Sequence, residues 1–307
     1  MSIVVHPGAL GDVLLGVPAL RALRAARPHD ALVLAAQPRL GALLAALGVV
    51  DAHVSVERLG LERLFVDDGE PPPVEALRAA SLVVCWFAAR DPVFVRRLSE
   101  AVPGAVVASA TGDGTRPVWE HLLATVGAGP GPWREPIPVP APLAASGRGA
   151  LRSAGWDGTT PLVLVHAGAG GVGKRWPVDG FARAIRTVDA RRRVALVLIQ
   201  GPADADATAA LAARLPDAAV LPEMPLADLA GALGHAAAWL GNDSGVGHLA
   251  AGIGVPALVL FTAANLAWRS WSAAARAVTV DPGAVREEDV GAVTAGLEAL
   301  LGGERGP

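Results

Sequence analysis

Short apolar, β-branched runs alternate along the chain with longer segments in which apolar residues recur every three or four positions. The short runs predict buried strands at residues 3–5, 31–34, 81–86, 105–108, 162–166, 194–200, 237–240, 257–261 and 277–280. The longer segments predict amphipathic helices, among them residues 12–26, 181–190, 206–215, 225–233 and 285–301. This alternation predicts an α/β fold in which parallel sheets are covered by helices on both faces.

One segment breaks the alternation. Residues 127–146 contain six prolines and several glycines, a composition typical of a linker. The chain has 307 residues, about twice the length of a typical domain. We therefore predict two doubly wound α/β domains with a cleft between them: residues 1–146, including the linker, and residues 147–307. The closing helix is predicted to pack back on the first domain.

Composition narrows the class of protein. The formal net charge of −3 argues against nucleic acid as a partner, because nucleic-acid-binding domains present a basic face. The only cysteine, Cys85, argues against a disulfide framework and a cysteine-built zinc site. The sequence has neither a long uninterrupted apolar run nor a basic stretch at its start. These features predict a cytoplasmic protein, and they admit a position at the inner face of the inner membrane.

The first of three glycine-rich turns follows the opening strand and contains Gly8, Gly11 and Asp12. In parallel sheets such turns lie at the carboxyl ends of the strands, where ligands bind. Asp12 is expected at the start of the next helix. There it can cap the helix, and its carboxylate can also act as a base.

The second turn holds Lys174, the only lysine of the chain, after the glycine-rich residues 168–173. Backbone amides bared by glycine, together with one ammonium group, predict a phosphate cradle. The alternative is an ordinary glycine-rich loop in which the lysine has no special role. Two better-known nucleotide motifs fit less well. No acidic residue ends the following strand, as a dinucleotide site requires, and Arg175 stands where a P-loop needs Ser or Thr.

The third turn, residues 242–248, reads Asn-Asp-Ser-Gly-Val-Gly-His and joins an apolar strand to a helix of small residues. The amides of residues 244–248 are predicted to point out of the helix N-terminus and to form a second anion site. The alternative is a turn with a helix cap, in which His248 is an ordinary helix residue.

Taken together, the three turns resemble glycosyltransferase family 9, the ADP-heptose:lipopolysaccharide heptosyltransferases and their relatives. The similar segments are residues 8–28, 166–185 and 240–261. They occur in family order, so the resemblance covers nearly the whole chain. It implies a GT-B fold, in which two Rossmann-like domains face a central cleft. The acceptor would bind to the first domain and the sugar nucleotide mainly to the second.

The resemblance also implies roles for individual residues. Asp12 would be the catalytic base, and Gly8 and Gly11 would shape its loop at the acceptor cleft. Met224 matches a position near the donor's adenine. The remaining donor-binding positions are Gly168, Gly170, Lys174, Asp243, Ser244, Gly245, Val246, Gly247 and His248, with Lys174 and the amides of residues 244–247 on the phosphates.

The implied reaction is the inverting transfer of a sugar, heptose from ADP-heptose, to a hydroxyl of a cell-envelope glycan such as lipopolysaccharide core. Asp12 would take the acceptor proton, and Lys174 with the helix amides would stabilise the departing diphosphate. No cofactor or metal is expected. The chain departs from the family pattern at residues 262–264, which read Thr-Ala-Ala where relatives commonly have Gly-Pro-Thr.

Two other functions remain open at this point. The chain could bind a nucleotide sugar without transferring it, or it could be a nucleotide-sugar epimerase or hydrolase with the same two-domain fold. The expected partners are a nucleotide-sugar donor and a glycan or glycolipid acceptor. Nucleic acid is not expected, and any membrane contact would be peripheral and made through the acceptor.

Overall fold

The computed structural model describes residues 1–67, 74–129 and 131–303. The chain divides into two compact units, Met1–Arg134 and Glu135–Pro307. The division falls inside the predicted linker, of which residue 130 lies outside the described residues, as do the last four residues of the predicted second domain.

The first unit is a parallel sheet with helices between its strands. Its strands, within the described residues, are β1 (Ser2–Val5), β2 (Leu32–Ala36), β3 (Ala52–Ser55), β4 (Leu82–Cys85) and β5 (Val106–Val107). Its α-helices are α1 (Leu10–Leu15), α2 (Val17–Ala26), α3 (Pro38–Ala46), α4 (Glu75–Arg78), α5 (Pro92–Ala101) and α6 (Val118–Thr125). Short 3-10 helices cover Val56–Leu59, Leu61–Phe65 and Pro132–Arg134. The strand order is β3-β2-β1-β4-β5.

The second unit repeats this architecture. Its strands, within the described residues, are β6 (Leu162–His166), β7 (Ala195–Ile199), β8 (Ala219–Leu221), β9 (Ala238–Asn242), β10 (Ala257–Phe261) and β11 (Ala275–Thr279). Its α-helices are α7 (Ala141–Ser153), α8 (Val178–Asp189), α9 (Ala205–Ala212), α10 (Leu226–Leu233), α11 (Gly245–Gly252) and α12 (Glu287–Leu301). Short 3-10 helices cover Val172–Lys174 and Ala263–Trp268. The strand order is β11-β10-β9-β6-β7-β8, and every pairing is parallel.

Both sheets have the strand order of Rossmann-like folds, so the predicted fold class of two doubly wound α/β domains is confirmed. In each sheet the order in which successive strands are added reverses once. This occurs between β1 and β4 in the first unit and between β6 and β9 in the second. Ligands of open parallel sheets bind at the carboxyl ends of the strands at such a switch point. The loops that follow β1, β6 and β9 are the three glycine-rich turns. Their position at the switch points makes them candidate ligand-binding loops.

The predicted linker is shorter than the sequence suggests, because α7 runs through the predicted boundary at residue 146. Pro140 is the N-cap of α7 and Pro142 lies in its first turn, and proline fits there because the first amides of a helix have no intrahelical acceptor. A β-carbon on Gly147 would lie 2.0 Å from the amide nitrogen of Ala232. Glycine therefore lets α7 pack closely on α10, and this contact joins α7 to the second unit.

One predicted helix also differs from the structure. The predicted helix 12–26 is two helices, because Gly16 ends α1 and begins α2, and Pro18 follows in the first turn of α2. The closing helix α12 packs on α8 and on β9, β10 and β11 of its own unit. Among the described residues, no helix is long and apolar enough to cross a bilayer.

Candidate functional site

Asp12 lies at the carboxyl edge of the first sheet, in the first turn of α1. The N-cap residue is Ala9, so Asp12 is the third residue of the helix. Its Oδ2 accepts a hydrogen bond from the Ala9 amide at 3.1 Å. The carboxylate therefore caps the helix from inside the first turn and not from the N-cap position. The side chain is only half-buried, so the carboxylate remains accessible to solvent.

His6 lies beneath this loop and was not among the predicted site residues. Its side chain is 1% exposed, and its Nδ1 accepts a hydrogen bond from the Gly8 amide at 3.2 Å. A β-carbon on Gly8 would lie 2.8 Å from His6 Cε1 and 2.9 Å from Asp12 Cβ. Glycine is therefore what allows the imidazole and Asp12 to approach each other. Gly11 is the second residue of α1 and is half-buried.

The charge state of His6 follows from its burial. Burial lowers the pKa of His6 to about 4, and the nearby Asp12 charge offsets this only in part. The imidazole is therefore neutral at physiological pH. The buried Nε2 has no hydrogen-bond partner among the described residues, so folding leaves one polar atom of this ring unsatisfied.

A cavity of about 590 Å³ lies beside the Asp12 loop in the first unit. It is lined by Pro7, Gln37, Pro38, Arg39, Val56 and Glu57. These residues follow β1, β2 and β3, so the cavity opens at the carboxyl edge of the sheet. The Gln37 amide group donates to the carbonyl oxygens of Pro7 and Gly8, at 3.4 Å and 3.3 Å. This bond ties the cavity wall to the loop that carries Asp12.

In the second unit, Lys174 and Asp243 meet at the switch point. The Lys174 Nζ donates to Asp243 Oδ2 at 2.8 Å. Lys174 is 38% exposed, whereas Asp243 is 5% exposed. The ammonium group is thus held by a buried carboxylate and still faces solvent. The structure brings together the two predicted residues, which are far apart in the chain.

Asp243 is the centre of a small network. Its Oδ2 also accepts from Asn265 Nδ2 at 3.3 Å, and its Oδ1 lies 3.5 Å from His248 Nε2. Burial alone would raise the pKa of Asp243, but the hydrogen bonds from His248 and Lys174 outweigh it and hold the pKa below its usual value. Asp243 is therefore ionised at neutral pH. Its position suits it to orient Lys174 and His248. Asn265, which was not among the predicted site residues, belongs to the same network.

Asn242, the residue before Asp243, fixes the loop that carries Lys174. Its Oδ1 accepts from the Trp176 amide at 3.0 Å, and its Nδ2 donates to the Ala167 carbonyl at 2.7 Å. The side chain is fully buried. A single amide side chain therefore joins the end of β9 to both ends of the loop after β6.

We expect Asn242→Ala to lower the free energy of unfolding by about 2 kcal/mol, because the change leaves a buried amide N–H and a buried carbonyl without partners. Asn265→Ala, at the other asparagine of the chain, is the matched control. That side chain is half-buried and makes a longer bond, so the loss there should be less than about 1 kcal/mol. Urea unfolding of both variants measures the difference. Equal losses would contradict the structural role of Asn242.

The first turn of α11 contains the predicted anion site. Ser244 is the N-cap, and its Oγ accepts from the Gly247 amide at 3.3 Å. The Gly247 amide is therefore already bonded within the protein. The amides of Gly245 and Val246 have no acceptor inside the helix, and both residues are partly exposed. These two amides are therefore open to an anion.

The predicted glycines of the second turn have different roles. A β-carbon on Gly168 would lie 2.0 Å from the Asp204 carboxylate, so glycine is needed there for packing. A β-carbon on Gly170 would meet nothing within 4 Å, so that side of the loop is open. Met224 follows β8, and Lys174 lies in the loop after β6. Both are therefore at the same edge of the sheet, with the one strand β7 between theirs.

Two further polar residues, His166 and Asp204, lie under the second turn and were not predicted. The Nε2 atom of His166 is 2.7 Å from Asp204 Oδ2, and its Nδ1 is 3.2 Å from Ser244 Oγ. His166 ends β6 and Asp204 follows β7, which is the neighbouring strand. Polar residues after two neighbouring buried strands were the sequence signal that could have found this pair. Within the described residues, no group of three or more His, Cys, Asp or Glu side chains is placed to hold a metal ion.

Sequence comparison with known proteins finds a match that includes the loops after β6 and β9. Residues 144–291 match the family model of glycosyltransferase family 9 (heptosyltransferase). The chain is also 38% identical, over 109 residues, to lipopolysaccharide heptosyltransferase 1 of Pseudomonas aeruginosa. That alignment spans 35% of this chain and 30% of the Pseudomonas protein, so it covers less than a third of the relative's length.

Solved structures resemble the chain over nearly its full length. The glycosyl transferase family 9 protein of Veillonella parvula superposes with a TM-score of 0.78 at 18% identity, covering 98% of this chain and 96% of that one. The ADP-heptose lps heptosyltransferase II of E. coli superposes with a TM-score of 0.77 at 17% identity, covering 99% of each chain. At this identity the likeness establishes the GT-B type of fold alone. The sequence match to glycosyltransferase family 9 covers residues 144–291, which is just under half of the chain.

Proposed function

We propose that the chain is an inverting glycosyltransferase, which moves a sugar from a nucleotide-diphospho-sugar to a hydroxyl of a cell-envelope glycan. The observation that carries this proposal is the Lys174 ammonium group, held on buried Asp243 beside the free first-turn amides of α11. Preorganised donors of this kind stabilise negative charge that develops on a leaving group. The heptosyltransferase relatives support heptose as the sugar and ADP-heptose as the donor.

On the donor side, Lys174 supplies the cation. An ammonium group has three N–H donors, and Asp243 accepts one of them, so two remain for phosphate oxygens. The open side of the loop at Gly170 and the amides of Gly245 and Val246 would complete the diphosphate contacts. In this scheme the protein's own charge and dipoles meet the developing charge, and we propose neither a metal nor an organic cofactor. His248 would act through Asp243, and Met224 would lie near the base.

On the acceptor side, Asp12 supplies the base. The acceptor oxygen attacks the anomeric carbon from the face opposite the diphosphate, a new glycosidic bond forms, and the bond to the diphosphate oxygen breaks. Asp12 takes the hydroxyl proton, and the electron pair of the broken bond leaves with the diphosphate. The cavity beside the loop, which carries Arg39 and Glu57, would hold the acceptor. If the acceptor is a glycolipid such as lipopolysaccharide core, we propose peripheral membrane contact through it, on the cytoplasmic side.

We expect Lys174→Ala to weaken binding of ADP by roughly 1.5–3 kcal/mol, the range for one charge-assisted contact. Lys174→Arg should recover only part of this loss, because a planar guanidinium replaces a compact charge that fits between Asp243 and the phosphates. Titration calorimetry with ADP measures both. Unchanged affinity for ADP in Lys174→Ala would show that the donor site does not lie at Lys174.

The matched control is Arg183→Ala, which also removes one positive charge from the second unit. Arg183 pairs with Glu287 at 2.6 Å, and both side chains are exposed, so ADP affinity should not change there. An assay with ADP-heptose and a glycan acceptor then tests the reaction type. Release of free sugar without an acceptor would indicate a hydrolase. Binding of ADP-heptose without any turnover would indicate a binding protein.

A further inference from the structure

A buried row of hydrogen-bonding side chains leads from the loop after β7 to the first turn of α11. Asp204 bonds His166 at 2.7 Å, His166 lies 3.2 Å from the Ser244 hydroxyl, and Ser244 accepts from the Gly247 amide at 3.3 Å. Asp204, His166 and Ser244 are 5%, 3% and 8% exposed. The row is therefore part of the protein interior, directly beneath the proposed donor site.

The direction of the first hydrogen bond follows from the charge of Asp204. Burial alone would raise its pKa, but the hydrogen bonds from His166 and from the Gly201 amide outweigh burial and hold the pKa below its usual value. An ionised carboxylate only accepts hydrogen bonds, so the Nε2 of His166 carries a proton and donates it to Asp204. The Nδ1 of His166 and the Ser244 hydroxyl share the second hydrogen bond, at 3.2 Å. A serine oxygen can take part in more than one hydrogen bond, so the Ser244 oxygen also accepts from the Gly247 amide.

The row is held in place at its far end. The Oδ1 atom of Asp204 accepts from the Gly201 amide at 2.6 Å, and its carboxylate fills the space that a β-carbon on Gly168 would need. The His166 ring stacks on Trp239, with ring centroids 6.0 Å apart and planes inclined by 29°. The imidazole therefore has little freedom to turn away from Ser244.

Serine, histidine and aspartate are also the residue types of a nucleophilic hydrolase. Here the Ser244 hydroxyl is buried, and its oxygen already accepts from the Gly247 amide. The hydroxyl is therefore not presented to a substrate as a nucleophile. The row instead fixes the position of the Ser244 side chain.

We infer that Asp204 and His166 are positioning residues of the donor site. By fixing the Ser244 hydroxyl as the cap of Gly247, they set the geometry of the first turn of α11. The amides of Gly245 and Val246 are thereby kept directed toward the phosphates of a nucleoside diphosphate. The inference rests on the proposed function for the identity of that ligand.

A double-mutant cycle tests whether Asp204 acts on the donor site through Ser244. Binding of ADP and of adenosine would be measured for the wild type, Asp204→Asn, Ser244→Ala and the double variant. We expect each single variant to weaken ADP by about five- to tenfold, the scale of a lost helix cap. Adenosine should change by less than about twofold, and the double variant should be no weaker than Ser244→Ala, since both changes break one path. Additive losses, or equal losses for adenosine, would overturn the inference.

Thr208→Val serves as the control. It changes a buried hydroxyl of α9, four residues after Asp204, that has no hydrogen-bond partner among the described residues. It should leave ADP affinity unchanged, and a loss there would show that any disturbance of α9 reaches the site.

Failure of the wild type to bind ADP would contradict the proposed donor and not the positioning row. Hydrogen exchange at the Gly247 amide tests the row without a ligand. Exchange there should speed up in Asp204→Asn by about the same factor as in Ser244→Ala, and it should be unchanged in Thr208→Val. Unchanged exchange in Asp204→Asn would overturn the inference.

Discussion

We expect Asp12→Asn to slow sugar transfer by about 100-fold or more, the usual scale for loss of a general base. Folding and donor binding should be nearly intact. The structure explains why, because Asp12 caps α1 by accepting one hydrogen bond from the Ala9 amide. An asparagine oxygen can accept the same bond, so the variant separates the capping role of Asp12 from its proposed role in proton transfer. Turnover and thermal unfolding of the same preparation measure the two roles.

Asp91→Asn is the matched control for this prediction. Asp91 is the N-cap of α5, where its Oδ1 accepts from the Phe94 amide at 2.9 Å. The chemical change is the same and the helix lies in the same unit, but no role in the reaction is proposed. Turnover should be unchanged there. Normal turnover in Asp12→Asn would rule out Asp12 as the base, and another group would then have to take the acceptor proton.

The second large effect is a loss of stability in mild acid that depends on His6. Its pKa is about 4 in the folded chain, against 6.5 for an unperturbed histidine. Between these values the unfolded chain binds more protons, so the free energy of unfolding falls as the pH falls. The full stability is present above the unfolded pKa. The contribution lost is on the order of 3 kcal/mol by the time the pH reaches the folded value.

Urea unfolding near neutral pH and near the folded pKa of His6 measures this loss. His6→Asn should make this difference smaller by about 3 kcal/mol, because the asparagine oxygen can still accept from the Gly8 amide but does not titrate. His29→Asn, at an exposed histidine, should keep the pH dependence of the wild type. An unaltered pH dependence in His6→Asn would show that the buried imidazole is not the group responsible.

The fold could be predicted from the sequence because its signals are local. Every predicted strand overlaps an observed one, and the periodic helices are present with shifted ends. The two strands that were not predicted, β3 and β8, lie at the edges of their sheets, where β3 has no buried residue and β8 has one. They lack the apolar run that marks a strand buried on both faces. The start of α7 was predicted as linker because it contains prolines. These prolines lie at the N-cap and in the first turn, where proline is compatible with a helix.

The sequence by itself determined the chemistry available to the protein: a carboxylate in a glycine-rich turn, one ammonium in another, and a small-residue helix start in a third. Only the tertiary structure decided which of these groups meet. Lys174 bonds Asp243 across 69 positions of the chain, and His166 bonds Asp204 across 38. Parallel strands bring their carboxyl ends to one edge, but which strands become neighbours depends on the packing of the whole sheet. For that reason the pairing of Lys174, the buried His166 row and the neutral His6 under Asp12 became visible only in the folded chain.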